Sequence, residues 1–261
     1  MSVLDQIVED KRAEVEANKK IVSFERLESK LNLTEVNYSL RTILLEGRTS
    51  GVIAEVKKKS PSRGVINDQI VVAEVAAGYE KAGASAISVL TDWKYFGGKD
   101  DDLRAARKRV KIPILRKDFI IDEYQIVEAK LMGADLILLI ARILSPKRTE
   151  ELTKFAKKLG LEVLLEVHSE KELLENINDD VDIVGVNNRD LDTLKVNLLF
   201  SFELATKIPD GFVKVSESGI TTPDAVMKLR EFGYNGFLMG ENFMKNEQPD
   251  LACADFINKL G

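Results

Sequence analysis

Two residues often recruited for metal and redox chemistry are nearly missing. The chain of 261 residues has one cysteine, Cys253, and one histidine, His168. A single cysteine excludes an intrachain disulfide and any cysteine-built zinc cluster. A single histidine excludes HExxH and multi-histidine sites, and only one residue remains for a Ser–His or Cys–His arrangement. Positive charge is not in excess. The formal net charge is −5 and the pI about 5.3, which gives no general attraction to nucleic acid or acidic lipid. Long apolar runs are absent too: the most continuous, Leu136 to Ala141, falls far short of a membrane span. The first ten residues carry Asp5, Glu9 and Asp10 and no basic group, unlike a signal peptide. A cytoplasmic protein without membrane or nucleic-acid partners is expected. What is present is the composition of a folded globular chain, with 44% hydrophobic and 31% charged residues. Such a length buries roughly 70–75% of its extended surface.

From residue 50 onward one physical unit repeats. Four joints read nearly alike: Lys81-Ala82-Gly83-Ala84, Leu131-Met132-Gly133-Ala134, Lys158-Leu159-Gly160 and Glu231-Phe232-Gly233. In each, a glycine can supply the left-handed turn that ends a helix, and an apolar run follows at once. Adding the runs at Val52–Val56, Ile112–Leu115, Asp182–Val186 and Phe212–Val215 makes eight, beginning near 52, 86, 112, 135, 162, 182, 212 and 236. Helical spacing separates them, as in Tyr124, Val127 and Leu131. Pro146 and Pro223 suit first helical turns behind the caps Ser145 and Thr222. Strands apolar on both faces that alternate with helices imply a parallel sheet, and eight units imply an α/β fold of the closed (β/α)₈ kind, a TIM barrel. The competing open, doubly wound sheet lacks its GxGxxG after the first strand.

Residues 1–49 precede the barrel as a helical extension of the same domain, with no proline and one glycine, Gly47. Ser2 can cap a helix whose apolar positions are Leu4, Ile7, Val8 and Val15, with Asp5, Glu9, Asp10, Lys11 and Arg12 expected on the opposite, solvated face. Further helices are expected over Phe24–Leu31 and Leu40–Glu46.

Barrel enzymes place their chemistry at the carboxyl ends of the strands. Those ends read Glu55-Val56-Lys57, Arg116-Lys117-Asp118-Phe119, Glu166-Val167-His168, Asn187-Asn188-Arg189-Asp190, Ser216-Glu217-Ser218-Gly219 and Met239-Gly240-Glu241. Glu55 and Lys57, two apart, point the same way off a strand. Ionisable and amide groups recur here, whereas the strand interiors are mostly apolar. His168 is expected to be an ordinary hydrogen-bonding loop residue, and Cys253, on an apolar helical stripe with Phe256, Ile257 and Leu260, a packing residue. Lys57-Lys58-Lys59 leads into Ser60-Pro61-Ser62-Arg63-Gly64, a loop suited to anions. Gly219 after the seventh strand and Gly240 after the eighth allow backbone amides to approach a phosphate, with a helix starting near Glu241.

These segments together resemble the indole-3-glycerol-phosphate synthase family. The likeness runs through Ile53-Ala54-Glu55-Val56-Lys57-Lys58-Lys59-Ser60-Pro61-Ser62, Leu90-Thr91-Asp92, Tyr95-Phe96-Gly97-Gly98 and Pro113 to Phe119. It continues in Leu165-Glu166-Val167-His168, Gly185 to Leu191, Ser216 to Gly219 and Phe237 to Glu241, so that it spans nearly the whole chain. The resemblance implies closure, decarboxylation and dehydration of 1-(2-carboxyphenylamino)-1-deoxyribulose 5-phosphate to indole-3-glycerol phosphate in tryptophan biosynthesis. It implies no metal or organic cofactor, and a monomer is expected. By the same resemblance Lys117 is the general acid, Glu166 serves in dehydration and Lys57 holds an anionic group. The division of the dehydration among Glu55, Lys57 and Glu166 stays open. Ser60, Asn187, Arg189, Glu217 and Ser218 are expected to position substrate, Phe96, Phe119 and Leu191 to wall the aminobenzoate ring, and Gly219, Gly240 and Glu241 to hold phosphate. A phosphoribosylanthranilate isomerase-like barrel would not need Lys117 and would lack the helical extension. A non-catalytic phosphosugar-binding barrel would be expected to have lost Lys117 or Glu166.

Overall fold

The eight apolar runs become eight parallel strands, each following its predecessor around a closed ring. The computed structural model describes residues 2–32, 37–190 and 193–260. The strands are β1 (Val52–Val56), β4 (Ala86–Leu90), β5 (Ile114–Lys117), β6 (Leu136–Ile140), β7 (Glu162–Val167), β8 (Ile183–Asn187), β9 (Val213–Glu217) and β10 (Gly236–Met239). The ring closes where β1 pairs with β10 on one side, Ile53 beside Leu238, and with β4 on the other, Ile53 beside Ala86. A helix follows each strand on the outside. Pro146 and Pro223 do open helices, behind Ser145 and Thr222 whose hydroxyls accept from Arg148 and Ala225 backbone amides. The four joint glycines all have positive φ, between 72° and 93°. A two-stranded hairpin that the sequence pattern does not announce, β2 (Lys59–Ser60) with β3 (Gly64–Val65), stands on the loop after β1.

The period-two alternation of strands divides the core in two. Ile53, Leu115, Leu136, Leu164, Ile183, Val215 and Leu238 face inward and pack on one another in the barrel. Val52, Ile87, Ile114, Ile137, Val163, Val184 and Phe237 face outward under the helices. Each such side chain, fully buried, contributes roughly 1.5–3 kcal/mol.

The extension forms three helices, α1 (Val3–Ile21), α2 (Phe24–Glu28) and α3 (Leu40–Glu46). α2 is shorter than its apolar pattern, ending where the Ser29 amide bonds back to Glu25 and Ser29 Oγ to the Arg26 carbonyl. α3 closes the amino end of the barrel: Leu40 and Leu44 join the inward cluster, while the Arg41 amide donates to Glu162 at 3.1 Å and the Tyr38 amide to Asp135 at 2.8 Å. α1 lies at the opposite, carboxyl end, where Lys19 pairs with Asp122 at 2.8 Å and Lys94 with Asp10 at 2.6 Å. One expectation fails here. Asp5, Glu9 and Arg12 do stay in solvent, but Lys11 is 1% exposed, on the buried face between Ile7 and Val15. It lies there because carboxylates of the barrel loops meet it. Among the described residues no helix is long and apolar enough to cross a membrane.

Candidate active site

The inward row of each strand starts apolar and ends polar. Two residues beyond Ile53 stands Glu55, beyond Leu115 Lys117, beyond Leu164 Glu166 and beyond Val215 Glu217. The topmost interior layer is therefore ionic because the strands run one inward position past the apolar core. Lys117 Nζ lies 3.7 Å from Glu55, 3.7 Å from Glu166 and 3.5 Å from Glu217, while Lys57 donates to Glu55 at 2.7 Å. The carboxyl of Glu217 occupies the place of a missing side chain on β8: a Cβ on Gly185 would meet Glu217 Oε1 at 2.4 Å. Gly240 serves Glu55 in the same way, since a Cβ there would come within 2.7 Å of Glu55 Oε1.

Burial opposes the charge of Lys117, but the carboxylates of Glu217, Glu166 and Glu55 outweigh it and hold the amine above its usual range. Burial likewise opposes ionisation of Glu55, and Lys57 with Lys117 reverses it, so that carboxyl is held low. Glu217 goes the other way. Burial pushes it up to about 8, Lys117 compensates only partly, and Glu166 and Glu55 add repulsion. Neither carboxyl oxygen of Glu217 has a hydrogen-bond partner. At neutral pH the layer thus holds Lys117 as a cation, Glu55 as an anion and a largely protonated Glu217.

These groups floor a cavity of about 710 Å³, ample for a small phosphorylated substrate. Glu55, Lys57, Phe96, Lys117, Phe119, Glu166, Asn187, Arg189, Glu217, Ser218, Gly219, Gly240 and Glu241 all line it. Phe96 and Phe119 pair with ring centroids 6.0 Å apart. Ser60 does not line the cavity; it is buried in the hairpin, and Ser62 and Arg63 reach the mouth instead. Leu191 lies outside the described residues. His168 is not the ordinary hydrogen bonder expected: its ring nitrogens sit 3.4 Å from Glu166 and Glu172 without hydrogen-bond alignment.

At the anion end Ser218 and Gly219 both have positive φ, 67° and 78°. The strained serine is held by the buried Asn188, whose amide donates to the Ser218 carbonyl at 3.1 Å and to the Glu217 carbonyl at 2.9 Å. A Cβ on Gly219 would strike Val196 Cγ1 at 2.3 Å. The Glu241 side chain is engaged by Arg63 at 2.9 Å and more loosely by Arg189 at 3.8 Å, which leaves its backbone for a ligand. Arg63 and, from the extension, Leu4 line the cavity and Asn188 braces its rim, although none of the three is among the residues expected to bind or react. Asn188 follows directly on Asn187, and a second amide at the end of an apolar strand was the available signal.

Fold and site together define a (β/α)₈-barrel enzyme with a cavity floored by lysines and carboxyl groups and rimmed by glycine-bearing turns after the last two strands. The model of the family "Indole-3-glycerol phosphate synthase" matches residues 4–256. The proteins of that name from Bacteroides thetaiotaomicron and Syntrophobacter fumaroxidans are 46% and 43% identical, over 99% and 96% of this chain and 98% and 96% of their own. The chain belongs to the indole-3-glycerol phosphate synthase family, carboxy-lyases of tryptophan biosynthesis. The crystal structure of tryptophan synthase subunit alpha from Legionella pneumophila superposes with a TM-score of 0.62 over 87% of this chain and 97% of that one. At 15% identity it shares the fold.

Proposed function

We propose that Lys117 is the general acid of ring closure on 1-(2-carboxyphenylamino)-1-deoxyribulose 5-phosphate, within a layer that also serves the later steps. The observation that carries this reading is the contact of one buried amine with three carboxyl groups, at 3.5 to 3.7 Å, on the floor of the cavity. The ring carbon that bears the carboxylate attacks the ketone carbon; the new bond leaves the pair of electrons on the ketone oxygen, and Lys117 delivers a proton to it. Its raised proton affinity guarantees that the proton is present at neutral pH. The bond to the carboxylate then breaks, carbon dioxide leaves, and its electrons restore the aromatic ring. In dehydration the new hydroxyl departs as water and the adjacent carbon gives up a proton. Glu166, Glu55 and Lys57 stand around that position and share these transfers.

The substrate's two anionic groups fit the two ends of the cavity. Lys57 faces the carboxylate, and the amides at Ser218, Gly219, Gly240 and Glu241 face the phosphate, with Asn187 and Arg189 positioning the chain between them. Phe96 and Phe119 receive the aromatic ring. No cofactor or metal enters this scheme. On this reading the chain is a monomer in which extension and barrel act as one domain. The acidic net charge suits a cytoplasmic enzyme without nucleic-acid partners. The deciding assay mixes the purified chain with the carboxyphenylamino substrate and follows indole fluorescence. Fluorescence should rise with loss of one carbon dioxide per product; a folded chain that binds substrate without that rise would favour a binding barrel.

A further inference from the structure

Besides Leu4 at the cavity and Asp10 at Lys94, the N-terminal helix reaches the loops around the site through Lys11. Lys11 Nζ lies 3.1 Å from Asp92, 3.1 Å from Asp118 and 3.0 Å from Glu14. Glu14 is half in solvent, whereas the side chains of Asp92 and Asp118 are 3% and 1% exposed. Each of these aspartates fixes a backbone turn. Asp92 Oδ1 accepts from the Tyr95 amide at 2.7 Å and the Phe96 amide at 3.3 Å, and so starts the short helix that carries Phe96. Asp118 Oδ1 accepts from the Phe119 amide at 2.8 Å, and its Oδ2 accepts from Thr91 at 2.6 Å and Arg116 at 3.2 Å. One ammonium therefore bridges the turns that set both aromatic rings. Without it, two buried carboxylates would face each other across the same gap. Arg116 pairs with Asp118, but among the described ion pairs it makes none with Asp92.

We propose that Lys11 is a positioning residue: by bridging Asp92 and Asp118 it holds the loops after β4 and β5 at the spacing that makes Phe96 and Phe119 one wall for the substrate's aromatic ring. This rests on the reading of that wall given above. Lys117 itself is fixed by strand pairing, opposite Leu90 of β4, so binding should suffer more than chemistry when the bridge is lost.

The test uses the full chain, with the Michaelis constant and the single-turnover rate at saturating substrate measured per folded molecule. Lys11→Met should raise the Michaelis constant about tenfold while the single-turnover rate stays within about threefold. A helix that merely stabilised the fold would lower the melting temperature and leave the Michaelis constant of the folded fraction alone. In the double variant Lys11→Met, Asp92→Asn, removing the repulsion should restore part of the lost affinity, a coupling between the two sites. A Michaelis constant within about twofold of the parent in folded Lys11→Met overturns the proposal. Should Lys11→Met not fold, Asp92→Asn alone decides. Asparagine caps a helix as well as aspartate, so this variant should fold and show about a threefold rise; no rise overturns the bridge. Phe96→Ala separates the two readings. It should raise the Michaelis constant. If it does and Lys11→Met does not, the bridge fails and the wall stands; if it does not, the wall fails and the bridge's stated role with it.

Discussion

Lys11 and Lys117 are each met by three carboxyl groups, yet they are built differently. Around Lys11 the contacts measure 3.0 to 3.1 Å and the lysine is 1% exposed. Around Lys117 they measure 3.5 to 3.7 Å and the side chain is 15% exposed to the cavity. The first cluster is satisfied within the protein: short charge-assisted bonds fix the ammonium. The second keeps its cation charged through the surrounding field but withholds close partners, so the amine can turn to a substrate oxygen without breaking strong bonds first. On the proposed reading, distance at an equal number of carboxyl groups separates a positioning lysine from one poised to donate.

The sharpest way to break this comparison is to remove both charges in turn. Lys117→Met should reduce single-turnover rate by at least about 10²-fold, the size of a general-acid effect, with little loss of stability because its contacts are loose. Single-turnover kinetics are needed, since product release can hide the chemistry. Near-normal chemistry in a folded Lys117→Met protein would transfer the role to Lys57. Lys11→Met should do the reverse in denaturant unfolding, costing about 3–5 kcal/mol as buried carboxylates lose their partner. Equal stability losses in the two variants would erase the distinction.

Glu217 sharpens the contrast through pH. Its proton affinity is higher in the folded chain than in the unfolded one, so the native state binds more protons and stability falls as pH rises from about 4.5 to about 8. Glu217→Gln should flatten that fall, leaving stability near pH 5 little changed and raising it at pH 8. Melting curves across this range check it; an unaltered slope would mean that Glu217 is already ionised. The smallest effect concerns the anion end. Gly219→Val meets both the positive φ and the Val196 side chain, and should raise the Michaelis constant about tenfold. An unchanged constant would remove Gly219 from the phosphate cradle.

The barrel was legible because parallel strands covered on both faces read as unbroken apolar runs, and all eight begin within two residues of the positions that the pattern marks. The ionic layer was legible for a related reason: an inward position two residues past Leu115 or Leu164 is polar only if something there needs charge. The hairpin over residues 59–65 was not, since strands of two residues carry no periodicity. Ser60 was drawn into the site by its neighbours in the loop, though the chain turns it under the hairpin. Lys11 was assigned to solvent by its charge alone. Yet Ile7, Lys11 and Val15 are spaced by four, one stripe of a helix, and that spacing outranks charge when a carboxylate partner comes from elsewhere. Its partners are 81 and 107 residues away in sequence, as the numbers of Asp92 and Asp118 make plain, beyond any local pattern.

That separation has a consequence for how the chain comes into being. α1 is made before the segments it docks on, the loops and a helix around Asp92, Asp118 and Asp122, and α3 before Asp135 and Glu162. At roughly 5–20 residues per second, synthesis of the intervening hundred or so takes about 5–20 s. For that interval the amphipathic faces of the extension have no partner within the chain, and the half-made barrel has neither its floor nor its clamp. The ring itself waits longer still, since β1 has no partner on one side until β10 is made.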